Sequence, residues 1–534
     1  NKQTLLLFDS HHIVMDGVSL NILVNDLFKL YNSESIEPLE VEYTDYSVWE
    51  NTLINEDKLS DDKKYWLNCF KDFDFETLNL PFDYTVPANQ TYTGNKLYNH
   101  LEQSIIDEVS TFAKEQHVST YSVFLTALFV TLYKYTGQTD IVIGSPVANR
   151  SIECLQNIIG MFVNNIALRT KILETQSVSD LITFVNNTVT GALDHQIYPY
   201  DMLVKDLQVT VDHSRNPLFD VVLTYQNQED TSTLTNNKAE ILPTVTNTAK
   251  FAITLEIAPK SNQINLEYRS DLFKENTMTS FLKHYLFVLK QIIDGFDGEV
   301  QNINIITDDE QKLLDKFNNT YGEINRAPVS KIFEEQAVLH ANDVAVICDD
   351  KFLTYKELNE RANSLAHYLI SKGVKPNDII AIMTNRSLET IVCMLGILKA
   401  GAAFLNVDPT YPIDRTEYYI NDSKIERVLT QKELREKVAQ IKNSIEIDLD
   451  NTEIYGKHTS NPNVSVKETD LSYIIYTSGS TGTPKGVMLN QIGMSNMVQA
   501  MTKVLDYLKE GNKHAIASVT STPFDILFMK LSFL

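Results

Sequence analysis

Two short stretches carry residue types able to do chemistry. The first is HHIVMDG, residues 11–17. A single exposed histidine at the end of a strand suits proton transfer near neutral pH, an effect worth roughly 10²–10⁴-fold when well placed. His11 and His12 are adjacent, so in an extended segment their side chains leave opposite sides of the chain. They therefore read poorly as two ligands of one metal. Asp16 reads as an orienting group, through a salt bridge or hydrogen bonds, and Gly17 as the residue that permits a tight turn. On residue types alone, two histidines and an aspartate satisfying a loop is the competing reading.

The second stretch is YTSGSTGTPKG, residues 476–486. Such a loop is costly to order, because glycine and small polar residues lose much freedom and bury little. A Walker A loop requires GxxxxGK[ST], and here Thr483 and Pro484 separate Gly482 from Lys485, so that reading fails. The chemistry still points to phosphate. Gly479 and Gly482 let backbone N–H groups approach an anion, Thr477, Ser478, Ser480 and Thr481 supply donors, and Lys485 adds a point charge. A flexible linker is the competing reading. Against it, LSYIIY (471–476) and GVML (486–489) bracket the loop tightly.

The elements that must position these stretches follow from periodicity. TLLLF (4–8) reads as a strand leading into the histidines, and Leu20, Leu23, Val24, Leu27, Leu30 and Tyr31 recur at helical spacing after them. Residues 51–64 are polar and acidic, and LPFDYTVPANQTYTG (80–94) has the Pro and Gly content of a long connection. The pattern is helical over 101–135 and again over 274–295. Residues 140–150, 219–228 and 264–273 read as strands. Residues 296–330 are polar and read as an interdomain linker. Beyond it, VAVIC (344–348) and IIAIM (379–383) each precede a helix, the helices stopping near Gly373 and before Gly401. This βαβα rhythm predicts a largely parallel sheet covered by helices, an α/β class.

Composition bounds the rest. The chain has 534 residues, 43% hydrophobic and 22% charged, which is ordinary for a globular protein. At roughly 100–200 residues per domain, that length suggests about three or four compact units. A net charge of −24 disfavours nucleic acid or an anionic membrane as the main partner. No apolar run approaches the roughly 18 residues of a membrane span. Cys69, Cys154, Cys348 and Cys393 form no CxxC pair, and read as buried reduced thiols of a cytosolic protein rather than a zinc site or disulfide frame. The chain opens on Asn1 and stops inside an apolar segment, ILFMKLSFL, so it reads as a fragment.

HHxxxDG resembles the signature of the condensation domains of nonribosomal peptide synthetases, and five later stretches fit that family in order. YTDYSVW (43–49), IGSPVANR (143–150), MFVNNIALR (161–169), HQIYPYDMLV (195–204) and SRNPLFDVVLTYQN (214–227) are similar to its motifs. AKFAITLEI (249–257) departs by carrying Ala252 where Asp is common. The resemblance implies paired chloramphenicol-acetyltransferase-like halves, of which residues 1–295 would supply only the later part. It implies a catalytic role for His12, as base or as the group placing the attacking amine, with His11 beside it and Asp16 structural. Epimerisation domains share HHxxxDG but typically carry an aromatic after DGxS, where Leu20 stands here.

From about residue 331 the chain resembles the adenylate-forming (ANL-type) family, specifically the amino-acid adenylation domains of the same synthetases. LTYKELNERANSLAHYL (353–369), LKAGAAFLNVDPTYPIDR (398–415) and LSYIIYTSGSTGTPKGVM (471–488) carry that similarity, with Asn406 and Phe404 as modest departures. FDILFMKL (524–531) is similar to a substrate-pocket element. It implies that Asp525 pairs with the ammonium of a bound amino acid and that Ile526 and Met529 line the side-chain pocket. ATP and Mg²⁺ are implied as the reagents, and phosphopantetheine on upstream and downstream carrier domains as the means of substrate delivery. The rest of the adenylation apparatus would follow Leu534, so no amino-acid-dependent ATP–pyrophosphate exchange is expected of these residues alone. A cytoplasmic location goes with this reading. Rival readings are an acyltransferase fused to an acyl-CoA ligase, which DPTYP and the FD pair disfavour, and a non-catalytic relic.

Overall fold

The computed structural model describes residues 6–210, 212–226, 247–441, 445–448, 451, 453–478 and 482–504. Two compact units result, Asn1–Asn319 and Thr320–Leu534, rather than the three or four suggested by length. The first unit is large because one continuous core runs through all of its sheet and most of its helices.

In the first unit, a mixed six-stranded sheet has the order β1-β6-β5-β4-β2-β3. Its strands are β1 (Gly94–His100), β2 (Asp140–Val147), β3 (Asn164–Lys171), β4 (Val221–Tyr225), β5 (Ile253–Ala258) and β6 (Gln263–Arg269). The helices are α1 (Gly17–Tyr31), α2 (Tyr43–Asn55), α3 (Ser60–Cys69), α4 (Gln103–Glu115), α5 (Thr120–Thr136), α6 (Val178–Asp194), α7 (Tyr200–Asp206), α8 (Glu275–Ile293) and α9 (Asp308–Asn318). Helix α5 is buried on every side from Ser122 to Tyr133, as its SVFLTALFVTLY sequence requires. The Ser119 side chain caps its start and Gly137, in the left-handed region, ends it.

Two expectations change here, at 4–8 and at 296–330, and two other stretches gain detail. The strand expected over 4–8 is not formed across its described part. Leu6, Leu7 and Phe8 are exposed, and a strand needs a partner for its backbone groups that none of the described residues supplies. Helix α1 forms, yet Leu20, Leu27, Leu30 and Tyr31 are exposed and only Ser19 of the helix is buried. The polar stretch 51–64 is mostly helical, shared between α2 and α3. Residues 296–330 are not a plain linker: Val300 and Ile303 sit in the first core, and Glu299 bridges to Ser177. Helix α9 follows, started by a Thr307/Glu310 capping box, and Glu310 also meets His284 of α8 at 2.8 Å. Ala252, the departure from the usual Asp, is buried as an ordinary apolar residue beside β5.

The second unit has the predicted α/β form. Its sheet has the order β12-β11-β9-β10-β13-β14, from β9 (Ile379–Met383), β10 (Ala403–Asn406), β11 (Arg427–Thr430), β12 (Ile445–Asp448), β13 (Leu471–Thr477) and β14 (Lys485–Asn490). All pairs are parallel except β13 with β14. VAVIC differs from its expected place: it is β7 (Val344–Cys348), paired antiparallel with β8 (Lys351–Thr354) in a separate hairpin outside the parallel sheet. The helices are α10 (Val329–Leu339), α11 (Tyr355–Ser371), α12 (Leu388–Lys399), α13 (Ile413–Asp422), α14 (Arg435–Val438) and α15 (Gln491–Val504). Leu358, Ala362, Leu365, Ala366 and Leu369 form the buried face of α11. Gly373 and Gly401 adopt left-handed backbone just after α11 and α12. The four cysteines are free, but only Cys393 is buried and Cys154 is exposed. No helix among the described residues is long and apolar enough to cross a membrane.

Candidate active sites

The HHIVMDG turn is built around Asp16. Asp16 is the N-cap of α1 and accepts the Ser19 N–H at 2.8 Å. Its other oxygen accepts the Phe162 N–H at 3.1 Å, and one terminal nitrogen of the Arg150 guanidinium lies 3.1 and 3.2 Å from the two oxygens. The Ser19 hydroxyl lies 2.8 Å from both the Asp16 carboxylate and the Gly160 carbonyl. It also accepts from the Gly160 N–H and from Arg150. Arg150 further donates to the carbonyls of Leu155 and Ile158 and covers the Phe162 ring at 4.1 Å. Side chains of Asp16 and Arg150 are 0% and 4% exposed, so each charge depends on the other. Burial alone would raise the Asp16 pKa. The donors from Ser19 and Phe162, together with Arg150, outweigh it and hold the carboxyl below its ordinary value.

The histidines differ. His11 folds back on its own turn, with Nδ1 accepting the Ile13 N–H at 3.1 Å. His12 is exposed, and no hydrogen bond among the described residues engages its imidazole. Gly17 is an ordinary first helical residue, not a left-handed turn, and a Cβ there would meet nothing within 4 Å. The tight-turn role expected for it is corrected on that ground, since the Asp16 cap sets the turn. Among the described residues no cluster of three or more His, Cys, Asp or Glu is placed to hold a metal ion.

Residues from the other quoted motifs surround this hub. Tyr43 donates to the Met161 carbonyl, and Tyr46 and Phe162 pack with Leu155 and Ile158 in a satellite core. Asn164 holds the 195–200 turn: its amide donates to the carbonyls of Gln196 and Tyr198, and its oxygen accepts the Tyr200 N–H. His195 pairs with Asp62 at 2.7 Å and stacks on Tyr65. Arg150, Ser19 and Gly160 are the site residues that residue-by-residue reading left out. Arg150 ends the IGSPVANR stretch and was findable there.

The second site is the hairpin of β13 and β14. Thr477 and Lys485 face each other across it, so Ser478 to Pro484 form the connection. Thr477, Ser478, Gly482 and Lys485 are exposed, and Gly482 has the left-handed φ of 82° that favours glycine. No hydrogen bond or ion pair among the described residues engages the Lys485 ammonium. Gly486 lies under a cross-strand ring: a Cβ there would come 3.1 Å from Tyr476. Gly479, Ser480 and Thr481 lie outside the described residues, as do Asp525, Ile526 and Met529.

Comparison with known proteins decides the family. A condensation-domain model matches residues 1–314, and an AMP-binding enzyme model matches residues 333–531. The chain belongs to the condensation-domain family. Its second part adds the AMP-binding enzyme domain, so the pair has the arrangement of nonribosomal peptide synthetases. Tyrocidine synthase 3 of Brevibacillus parabrevis is 36% identical over 502 residues, 93% of this chain and 8% of that protein. Gramicidin S synthase 2 of Brevibacillus brevis is 36% identical over 532 residues, 98% of this chain and 12% of that protein. The condensation–adenylation pair thus spans only a small part of these relatives. A four-domain nonribosomal peptide synthetase bound to AMP and glycine shares the fold with a TM-score of 0.85, at 22% identity. The match covers 98% of this chain and 40% of that one.

Proposed function

We propose that this chain works within a modular nonribosomal peptide synthetase, its first unit taking part in condensation and its second in amino-acid activation. In condensation, the amine of an aminoacyl thioester attacks the carbonyl of an upstream acyl or peptidyl thioester, forming the amide and releasing the upstream thiol. His12 would hold or accept the proton of the attacking amine. The observation that supports this best is the difference between the neighbours: both are exposed, but His11 is turned back on its own backbone through Nδ1, while among the described residues nothing hydrogen-bonds the His12 imidazole, on a turn fixed from behind by the buried Asp16–Arg150 pair. Phosphopantetheine arms of upstream and downstream carrier domains would present both thioesters.

In activation, the carboxylate of an amino acid attacks the α-phosphate of ATP and releases pyrophosphate. Thr477, Ser478, Gly482 and Lys485 would offer donors and a positive charge to the phosphates, with Gly479, Ser480 and Thr481 in the same loop. Mg²⁺ would enter with the nucleotide, as is usual where phosphates complete the ion's coordination. Asp525 would pair with the substrate ammonium beside Ile526 and Met529.

The test uses the synthetase that carries this chain. His12→Ala should lower peptide-bond formation by about 10²–10⁴-fold while amino-acid-dependent pyrophosphate exchange stays at the wild-type rate. Equal loss of both activities would show a folding role and defeat the assignment.

A further inference from the structure

The LKAGAAFLNVDPTYPIDR stretch ends at Arg415, about sixty residues before the phosphate loop, and none of the residues so far assigned to phosphate comes from it. Helix α13 begins at its end and lies against the β13–β14 hairpin. Its side chains reach both limbs of the loop. On the far limb, Tyr418 donates its hydroxyl to the Pro484 carbonyl at 2.9 Å, next to Lys485. On the near limb, Tyr476 donates to Asp422 at 2.6 Å and receives the Ser423 hydroxyl at 2.8 Å. The Tyr476 ring stacks on Tyr419 at 4.1 Å and 12°, and Gly486 lies close against it.

Tyr419 is fixed in turn by the upstream stretch. Arg415 donates to the Tyr419 hydroxyl at 2.7 Å and lies over the Tyr411 ring at 4.1 Å. Lys437 donates to the Tyr411 carbonyl at 2.6 Å. A chain of contacts therefore runs from Tyr411 and Arg415 through Tyr419 and Tyr476 to the start of the loop. Tyr418 ties down its end.

We propose that Tyr418, with the Tyr476–Asp422 contact as its counterpart, is a positioning residue for nucleotide activation: helix α13 clamps the two described limbs of the loop and so sets where Thr477, Ser478 and Lys485 stand. The inference rests on the activation reading of the second unit. Two properties of the geometry carry it. Both limbs are held by the same short helix, and both holds are directional hydrogen bonds rather than general packing. Clamping matters because a glycine-rich loop has little packing of its own, and misplacing a catalytic group by about 1 Å costs on the order of 10²-fold.

The experiment measures amino-acid-dependent pyrophosphate exchange in the synthetase that carries this chain, with Tyr418→Phe, Lys485→Ala and the double variant. Tyr418→Phe removes one hydroxyl and keeps the ring. It should lower kcat/KM for ATP by roughly tenfold and leave the KM for the amino acid and the thermal midpoint unchanged. In the Lys485→Ala background its effect should shrink to less than about twofold, because it acts through that limb. Asp422→Ala on the near limb should show the same ATP-selective loss, which keeps the test sound if Tyr418→Phe folds poorly. A Tyr418→Phe enzyme with wild-type kcat/KM for ATP, or a full effect on top of Lys485→Ala, overturns the clamp while leaving activation standing. Absence of exchange in the wild type, or exchange indifferent to Lys485→Ala, overturns the activation reading and the clamp with it.

Discussion

The two motif-bearing turns are held in opposite ways. The histidine turn stands on a buried charge pair, with Asp16 and Arg150 drawing on Ser19, Gly160 and Phe162 behind it. Among the described residues, the proposed phosphate loop is held at its feet, by tyrosine hydroxyls and a ring stack against one neighbouring helix. On the role proposed for His12, a proton-handling side chain in the first turn needs one fixed position, and a charged foundation is worth its desolvation cost. The second has exposed donors and an exposed ammonium, and the holds leave these groups open to solvent. Rigidity is thus supplied behind one site and around the rim of the other.

The comparison breaks most visibly at Arg150. Arg150→Ala would leave the Asp16 carboxylate buried without its cation, a loss of about 3–5 kcal/mol. Denaturant unfolding should show it in the first unit. An Arg150→Ala protein of wild-type stability would mean that the N–H and O–H donors suffice.

A second buried aspartate sharpens the point. Asp220 is paired with Arg215 at a longer 3.3 Å, and burial pushes its pKa up to about 6 despite that cation. The native state therefore binds the Asp220 proton more tightly than the unfolded chain does, and stability falls as pH rises from the ordinary carboxylate range through about 6. Asp16 has the opposite sign. Its contribution is present above the ordinary value of 3.8 and fades as pH drops through its lowered pKa. Asp220→Asn should flatten the stability profile between roughly pH 4 and 6 by on the order of 2–3 kcal/mol. An unchanged slope would place its titration elsewhere.

The smallest predicted effects distinguish the turns sterically. Gly160→Ala would drive a Cβ to 2.1 Å from the Tyr43 ring, and should cost about 1–3 kcal/mol through displacement of that aromatic cluster. Gly486→Ala meets the Tyr476 ring at 3.1 Å, so its cost should be below about 1 kcal/mol in stability. Thermal melts of the two variants should rank them in that order. The reverse order would show that the Tyr476 clamp is the stiffer structure.

Much of the parallel sheet and its helices was legible because buried strands such as IIAIM and helical repeats such as that of α11 are local patterns. Strand β1 was not, since GNKLYNH has no apolar alternation and is a strand only because β6 pairs with it. The 296–330 segment looked like a linker because its two core anchors, Val300 and Ile303, are isolated apolar residues in polar surroundings. At the sites, residue types announced the histidines and the phosphate loop. Their supports were harder to see. Arg150 and Phe162 lie far along the chain from Asp16, and Tyr418 and Asp422 fall between recognisable stretches, with nothing local to mark them.

The hub around Asp16 has a kinetic consequence. Helix α1 can begin to form from its own cap on the microsecond scale or faster. The Asp16 carboxylate, however, meets Phe162 only after a closure of 146 residues. Bringing such distant segments together costs loop entropy before any contact rewards it. The histidine turn is therefore expected to reach its final shape late, after the β2–β3 connection that carries Arg150 and Phe162 is in place, although it stands near the start of the sequence.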